Sequence, residues 1–148
     1  NICKRHSVYE SCSVPPVIIR PPISTIKSDE GDDLDIDCTA IGVPRPSIRW
    51  LTPRNETFAP EHVLMTYQGD ESNIVTGKLK LINVNRSMNG RLVCVAQNGL
   101  SPNAEAAVGL SVRFRPEVQM VNRLIKQTPG MDTIITCHVT ANPLGQIR

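Results

Sequence analysis

Residues 33–40 alternate with a period of two, with Leu34, Ile36, Cys38 and Ala40 on one side and Asp33, Asp35, Asp37 and Thr39 on the other. One apolar face at that period predicts a half-buried strand. Ser47 to Leu51 repeats the pattern with Ile48 and Trp50 together, after the turn residues Gly42, Pro44 and Pro46. Lys78-Leu79-Lys80-Leu81 alternates again, Leu92 to Ala96 predicts another strand, and Ala106 to Val112 a last one through Val108 and Leu110. Asn98-Gly99, between two of these runs, predicts a turn because both residues accept positive φ. No stretch from Val17 to Val112 holds the i, i+3, i+4, i+7 spacing of a helix, so the expectation is an all-β sandwich or barrel.

The flanks differ. Asn1 to Ser13 shows no period and carries Cys3 and Cys12, so residues 1–14 are expected to be an irregular leader. Pro15, Pro16, Pro21 and Pro22 bracket Val17, Ile18 and Ile19, which suits a kinked edge strand, since proline donates no ladder hydrogen bond. Beyond Pro116 the pattern starts again: Ile135-Cys137-Val139 alternates as Ile36-Cys38-Ala40 does, and Asn142-Pro143 and Ile147 parallel Val43-Pro44 and Ile48. This internal repeat predicts one complete domain over 15–115 and the first third of a second over 116–148. The pattern breaks off at both ends, so a piece of a longer chain is expected, with any secretory leader or anchor outside it.

Composition narrows the function. Five aromatic residues (one Trp, two Tyr, two Phe) leave the core to branched aliphatic side chains, which suit strands. Sixteen basic and 14 acidic residues give a formal charge of +2, far from the clustered basicity of a nucleic-acid binder. No apolar run approaches the roughly 20 residues of a membrane helix. Five cysteines, an odd number, point to a thiol left without its partner, and the repeat marks Cys137 as that thiol.

Cys38, Trp50 and Cys94 have the spacing of an immunoglobulin domain. Leu79-Lys80-Leu81-Ile82-Asn83-Val84, then Gly90, then Cys94, resembles that superfamily's pattern from about Pro16 to Arg115. Met88-Asn89-Gly90, Cys94 to Gly99, Ser101-Pro102 and Phe114-Arg115-Pro116 are similar to an inner domain of lachesin, the IgLON proteins and the Dpr-interacting proteins. The resemblance implies an I-set, Greek-key immunoglobulin-like β-sandwich followed by an incomplete second one. It also implies a Cys38–Cys94 disulfide with Trp50 packed against it and Leu92 in the core. Leu92 stands where that family carries a bracing tyrosine, and Met88 where it carries an aspartate. The corner before the sixth strand is therefore expected to rest on apolar packing and Gly90 alone.

The same resemblance implies a cell-surface, extracellular adhesion or recognition module. It would space and present neighbouring immunoglobulin domains, with other immunoglobulin-superfamily proteins as homophilic or heterophilic partners and an anchor elsewhere in the chain. No enzyme, cofactor or metal site is predicted: His6, His62 and His138 lack ligand spacing, and no nucleophile motif or phosphate loop occurs. The acidic run from Asp29 to Asp37 invites calcium, but antiparallel pairing of the second and fifth strands would set Asp35 and Asp37 against Lys78 and Lys80 instead. Asn55-Glu56-Thr57 and Asn85-Arg86-Ser87 are glycosylation sequons in predicted loops. Arg49, Leu51, Arg91, Val93 and Val95 should point away from the core and form a candidate contact face. The competing class is a ligand-binding receptor ectodomain of growth-factor or heparin type, using Arg113, Arg115, Arg123 and Lys126.

Overall fold

The computed structural model describes residues 2–6, 9–68, 73–122 and 124–145, with side chains from Cys12 onward. The chain divides into two compact units, Asn1–Val112 and Arg113–Arg148.

The first unit is a two-layered sandwich. One layer holds β1 (Ile2–His6), β2 (Tyr9–Arg20), β4 (Leu34–Val43), β7 (Ile74–Leu81) and β6 (Val63–Tyr67), in the order β1-β2-β4-β7-β6. The other holds β5 (Ser47–Leu51), β8 (Gly90–Gln97) and β9 (Ala104–Met120), with β3 (Thr25–Asp29) added along β9. The long connections between layers are those of a Greek key. Two single-turn 3-10 helices, Pro60–His62 and Arg86–Met88, complete the described elements.

Alternation explains the layers. Ile36, Cys38 and Ala40 of β4, Leu79 and Leu81 of β7, Trp50 of β5, Leu92 and Cys94 of β8, and Val108 and Leu110 of β9 form one buried cluster. Their alternate neighbours face outward, so each strand contributes every second residue to the core. Ladder pairing sets Asp35 opposite Lys80 and Asp37 opposite Lys78, the register that the charge pattern predicts.

Three features depart from expectation. Residues 2–6 and 9–13, expected to be irregular, form an antiparallel ladder with Cys3 opposite Cys12, and Cys12 is disulfide-bonded. Backbone pairing holds that ladder, which is why no apolar alternation announces it. Val14 to Arg20 is the kinked edge strand expected, and its register on β4 shifts between Val14 and Val17, across the Pro15-Pro16 pair. β3 and β6, which the pattern does not reveal, are edge strands with one ladder partner each, β9 and β7. Asn98-Gly99 does not close a tight hairpin, because β8 ends at Gln97 and β9 starts at Ala104, across a cis Ser101-Pro102 bond.

The second unit pairs the tail of β9 with β10 (Cys137–Asn142), Val118 facing Val139 and Cys137 facing Met120. Val118, Met120, Leu124, Met131 and Ile134 are exposed, and Cys137 is an exposed free thiol. β10 ends at a cis Asn142-Pro143 bond as β4 ends at a cis Val43-Pro44 bond, whereas Ile147 lies outside the described residues.

Candidate functional site

Cys38 and Cys94 are bridged, their Cα atoms 6.5 Å apart. Both are wholly buried, as is Trp50, which pairs with Cys94 across the β5–β8 ladder. The indole Nε1–H donates to the Gly77 carbonyl at 3.2 Å, so its single polar atom is satisfied inside the core. Gly77 faces Cys38 across the β4–β7 ladder, and a Cβ there would meet Cγ2 of Ile48 at 2.5 Å. Bridge, indole and glycine thus form one joint between the layers. Only the glycine is missed by the sequence reading, although a lone Gly inside an alternating strand signals close approach.

The corner before β8 is held by more than apolar contact and Gly90, which corrects the expectation. Leu92 is buried and Met88 packs on the core. Gly90 adopts φ +133° with Pro53 close to where a Cβ would stand. The Asn89 side-chain oxygen accepts the Val112 amide, and Arg86 makes two side-chain bonds to Glu30, Nε–H at 3.0 Å and Nη2–H at 2.7 Å. These polar contacts take over where tyrosine and aspartate are missing. The Arg86 guanidinium holds the Glu30 carboxyl below its ordinary value of 4.5.

Both sequons lie in exposed turns. Asn85 caps the Arg86–Met88 turn, its side-chain oxygen accepting the Ser87 amide at 2.9 Å and the Ser87 hydroxyl. Asn55 sits at φ +65° in a turn whose amides at Arg54 and Glu56 donate to the Thr52 hydroxyl. A cavity of about 220 Å³ lined by Thr52, Phe58, Ser87 and Met88 lies between the two turns, which places both sequons at one end of the sandwich.

The acidic run is engaged residue by residue. Lys78 Nζ lies 3.6 Å from Asp35 and 3.9 Å from Asp37. Asp33 accepts the Asn83 amide at 2.8 Å, and Asp32 accepts the Asp29 amide at 3.0 Å. Asp35 and Asp37 share one lysine and Asp33 reaches the turn at Asn83, and among the described residues no three metal-ligating side chains converge.

The predicted contact face is partly corrected. Arg49 and Arg91 are exposed and Leu51 is half-buried, but Val93 is only 5% exposed and Val95 only 1%. Both leave the core side, since neither joins the buried cluster that holds Leu92, Cys94 and Ala96. They are covered because β8 is the central strand: Leu51 and Ala107 flank Val93, and Arg49 and Glu105 flank Val95. Val95 is thus a short branched side chain between two longer ones, and Val93 has the longer Leu51 on one side. The two valines therefore form the floor of this face. Arg113 and Arg115 are exposed, whereas Arg123 lies outside the described residues.

Comparison with known proteins agrees with this geometry. Lachesin of Drosophila melanogaster is 28% identical over 129 residues, covering 87% of this chain and 33% of lachesin. The neuronal cell adhesion molecule of Gallus gallus is 30% identical over 136 residues, covering 87% of this chain and 10% of that protein. A crystal structure of Dpr2 Ig1-Ig2 in complex with DIP-Theta Ig1-Ig3 contains a chain that superposes with a TM-score of 0.67 at 28% identity, over 88% of this chain and 43% of that one. The chain thus spans at most about a third of the curated relatives it resembles and is related to cell-adhesion proteins. A model of the immunoglobulin domain matches residues 15–98, more than half the sequence, and the chain belongs to the immunoglobulin-domain family.

Proposed function

We propose that this chain is a recognition and spacing module of a cell-surface adhesion protein, in which residues 15–115 form one complete immunoglobulin domain and 116–148 begin a second. The observation that carries the reading is the bridged sandwich, Cys38–Cys94 around Trp50, in a chain whose relatives include a neuronal cell adhesion molecule. A rigid two-layered body can hold neighbouring domains a set distance apart without catalysing anything. Its partners are other immunoglobulin-superfamily proteins at cell surfaces, and Arg49, Leu51 and Arg91 over the Val93–Val95 floor are a secondary contact face.

The module works outside the cell. A buried disulfide suits an oxidising compartment, and Asn55 and Asn85 are the acceptors for N-linked glycan. Among the described residues no helix is long and apolar enough to cross a membrane, so attachment is assigned to another part of the protein.

Expression of the full-length protein on non-adherent cells tests the reading. Cell aggregation supports it, while cells that stay dispersed alone and in mixture with cells bearing related immunoglobulin proteins refute it. Heparin affinity lost on changing Arg113 and Arg115 to Ala would instead favour the receptor ectodomain.

A further inference from the structure

The outer surface of the β2-β4-β7-β6 sheet carries an ordered series of cross-strand pairs. By ladder register and alternation, Ile41 faces Ile74 at one end, both pointing away from the core. One step along, Thr39 faces Thr76, their hydroxyls hydrogen-bonded at 2.8 Å. The next two pairs are Asp37 with Lys78 and Asp35 with Lys80. Val17, opposite Ile41, is 53% exposed, Ile41 itself 37%, and Leu64, opposite Lys78, 62%. The series therefore runs from apolar through hydroxyl to ionic within a single face.

Its symmetry identifies an occupant. A two-fold axis running along the strands, midway between β4 and β7, lays β4 of one copy over β7 of the other with no shift along the strand. Isoleucine then meets isoleucine, and the Thr39–Thr76 pair, with Thr39 only 5% exposed, lies between the apolar and the ionic parts. Each aspartate of one copy meets the lysine that is its own cross-strand partner in the other, so each ionic pair becomes a square of alternating charge. With Asp35 and Asp37 on β4 and Lys78 and Lys80 in register on β7, the central pair of strands is complementary to itself, and the same rotation carries Arg20 of β2, opposite Thr39, over Thr66 of β6. We propose that this face is a docking surface for a second copy of the same domain, with the two copies side by side and pointing in the same direction. The proposal goes beyond the adhesion reading and stands without it, because it concerns copies of this domain alone.

Size sets the strength. Four strands about 4.8 Å apart and about eight residues long offer on the order of 500 Å² per copy, below the roughly 800 Å² per partner of a stable complex. Association is therefore weak and concentration-dependent, and it falls as salt screens the charged pairs.

Sedimentation velocity tests this on the whole 148-residue chain carrying Cys137→Ser, which excludes a disulfide dimer through the exposed thiol. Between about 10 μM and about 500 μM, a span that brackets affinities of this class, the mass is expected to rise from 16.3 kDa toward twice that value. The double variants D35K/D37K and K78D/K80D should each remain monomeric, because like charges then face one another. Mixed in equal amounts they should associate, an all-lysine face meeting an all-aspartate one. Ile41→Arg leaves all four charges in place and should weaken self-association at least about tenfold, since it sets an unpaired guanidinium over Ile74 of the other copy on each side of the axis. A wild-type chain that stays monomeric throughout overturns the proposal, as do single-charge-type variants that associate like wild type, or a mixture of the two folded variants that does not recover association. Should circular dichroism show either charge variant unfolded, Ile41→Arg decides alone, and unchanged association in that variant overturns the proposal.

Discussion

Gly77 carries more of the core geometry than its size suggests. Its carbonyl accepts the Trp50 indole proton, and the place where a side chain would begin is filled by Ile48 of the opposite layer. Gly77→Ala must push Ile48 aside within a close-packed interior, and such overpacking costs typically about 1–3 kcal/mol. A urea midpoint lowered to that extent, with unchanged slope, is the expected result. Glu30 and Arg86 give a second prediction at this scale. A carboxyl whose folded-state pKa is depressed adds stability that is complete above its unfolded value and disappears as pH falls through the folded one. The stability difference between wild type and Glu30→Gln should thus be constant from neutral pH down to about 4.5 and should then decline, to be lost once the pH has passed below the lowered folded-state value, as read by denaturation at a series of pH values. About a third of each side chain is open to solvent, so the difference is small. The cysteines and the tryptophan stand out in the sequence because no other residue can do their work. Gly77, Asn89 and Val95 do not, because their roles depend on neighbours that only the folded chain brings near.

At the scale of elements, strands whose inward residues fill the core were legible, as was the proline-bracketed part of β2, whereas β1, β3 and β6 were not. β4, β5, β7 and β8 alternate because their inward residues fill one core. β6 follows the burial pattern half-buried, exposed, half-buried, exposed, exposed, and nothing in such a strand forces a strong period. β1 and the first half of β2 form a backbone ladder, which the pattern of apolar and polar residues does not record. The loop after β8 shows another limit. Asn98 reads as half of a hairpin turn, yet its side-chain amide donates to the carbonyls of Val14 and Pro44, each at 2.9 Å, and its oxygen accepts the Leu100 amide. Three segments distant in sequence meet at this one carboxamide. Asn98→Ala removes these bonds and should cost about 1–3 kcal/mol. Faster amide exchange at Leu100, with β4 and β8 protection falling only by the global loss, would locate the effect in the loop.

For the molecule as a whole, the sequence pattern and its internal repeat were enough for the fold class, because all-β alternation with a Cys-Trp-Cys spacing has few solutions. The outward faces were harder to read. Period two tells which residues leave the core but not which of them water reaches, and that depends on the neighbours each one has in the folded chain. Val93 and Val95 on central β8 are covered, whereas Val17 on β2 stands open. The disulfide contributes to stability at this scale. Closing 56 residues of sequence with the Cys38–Cys94 bridge stabilises the folded unit by about 4 kcal/mol in the chain-entropy account. The double variant C38A/C94A should lose stability of that order in calorimetry.

The same bridge has a mechanical consequence for the domain when it is placed under tension. When the chain is drawn out by its ends, tension passes through the sulfur–sulfur link and bypasses the segment it encloses. That segment adds nothing to the stretched length even after both layers have come apart. At roughly 3.4 Å per residue, the 56-residue loop withholds roughly 190 Å of contour. Single-molecule pulling should show unfolding steps longer by about that amount once the bond is reduced, so that each oxidised domain yields to load as a short tether with a built-in stop.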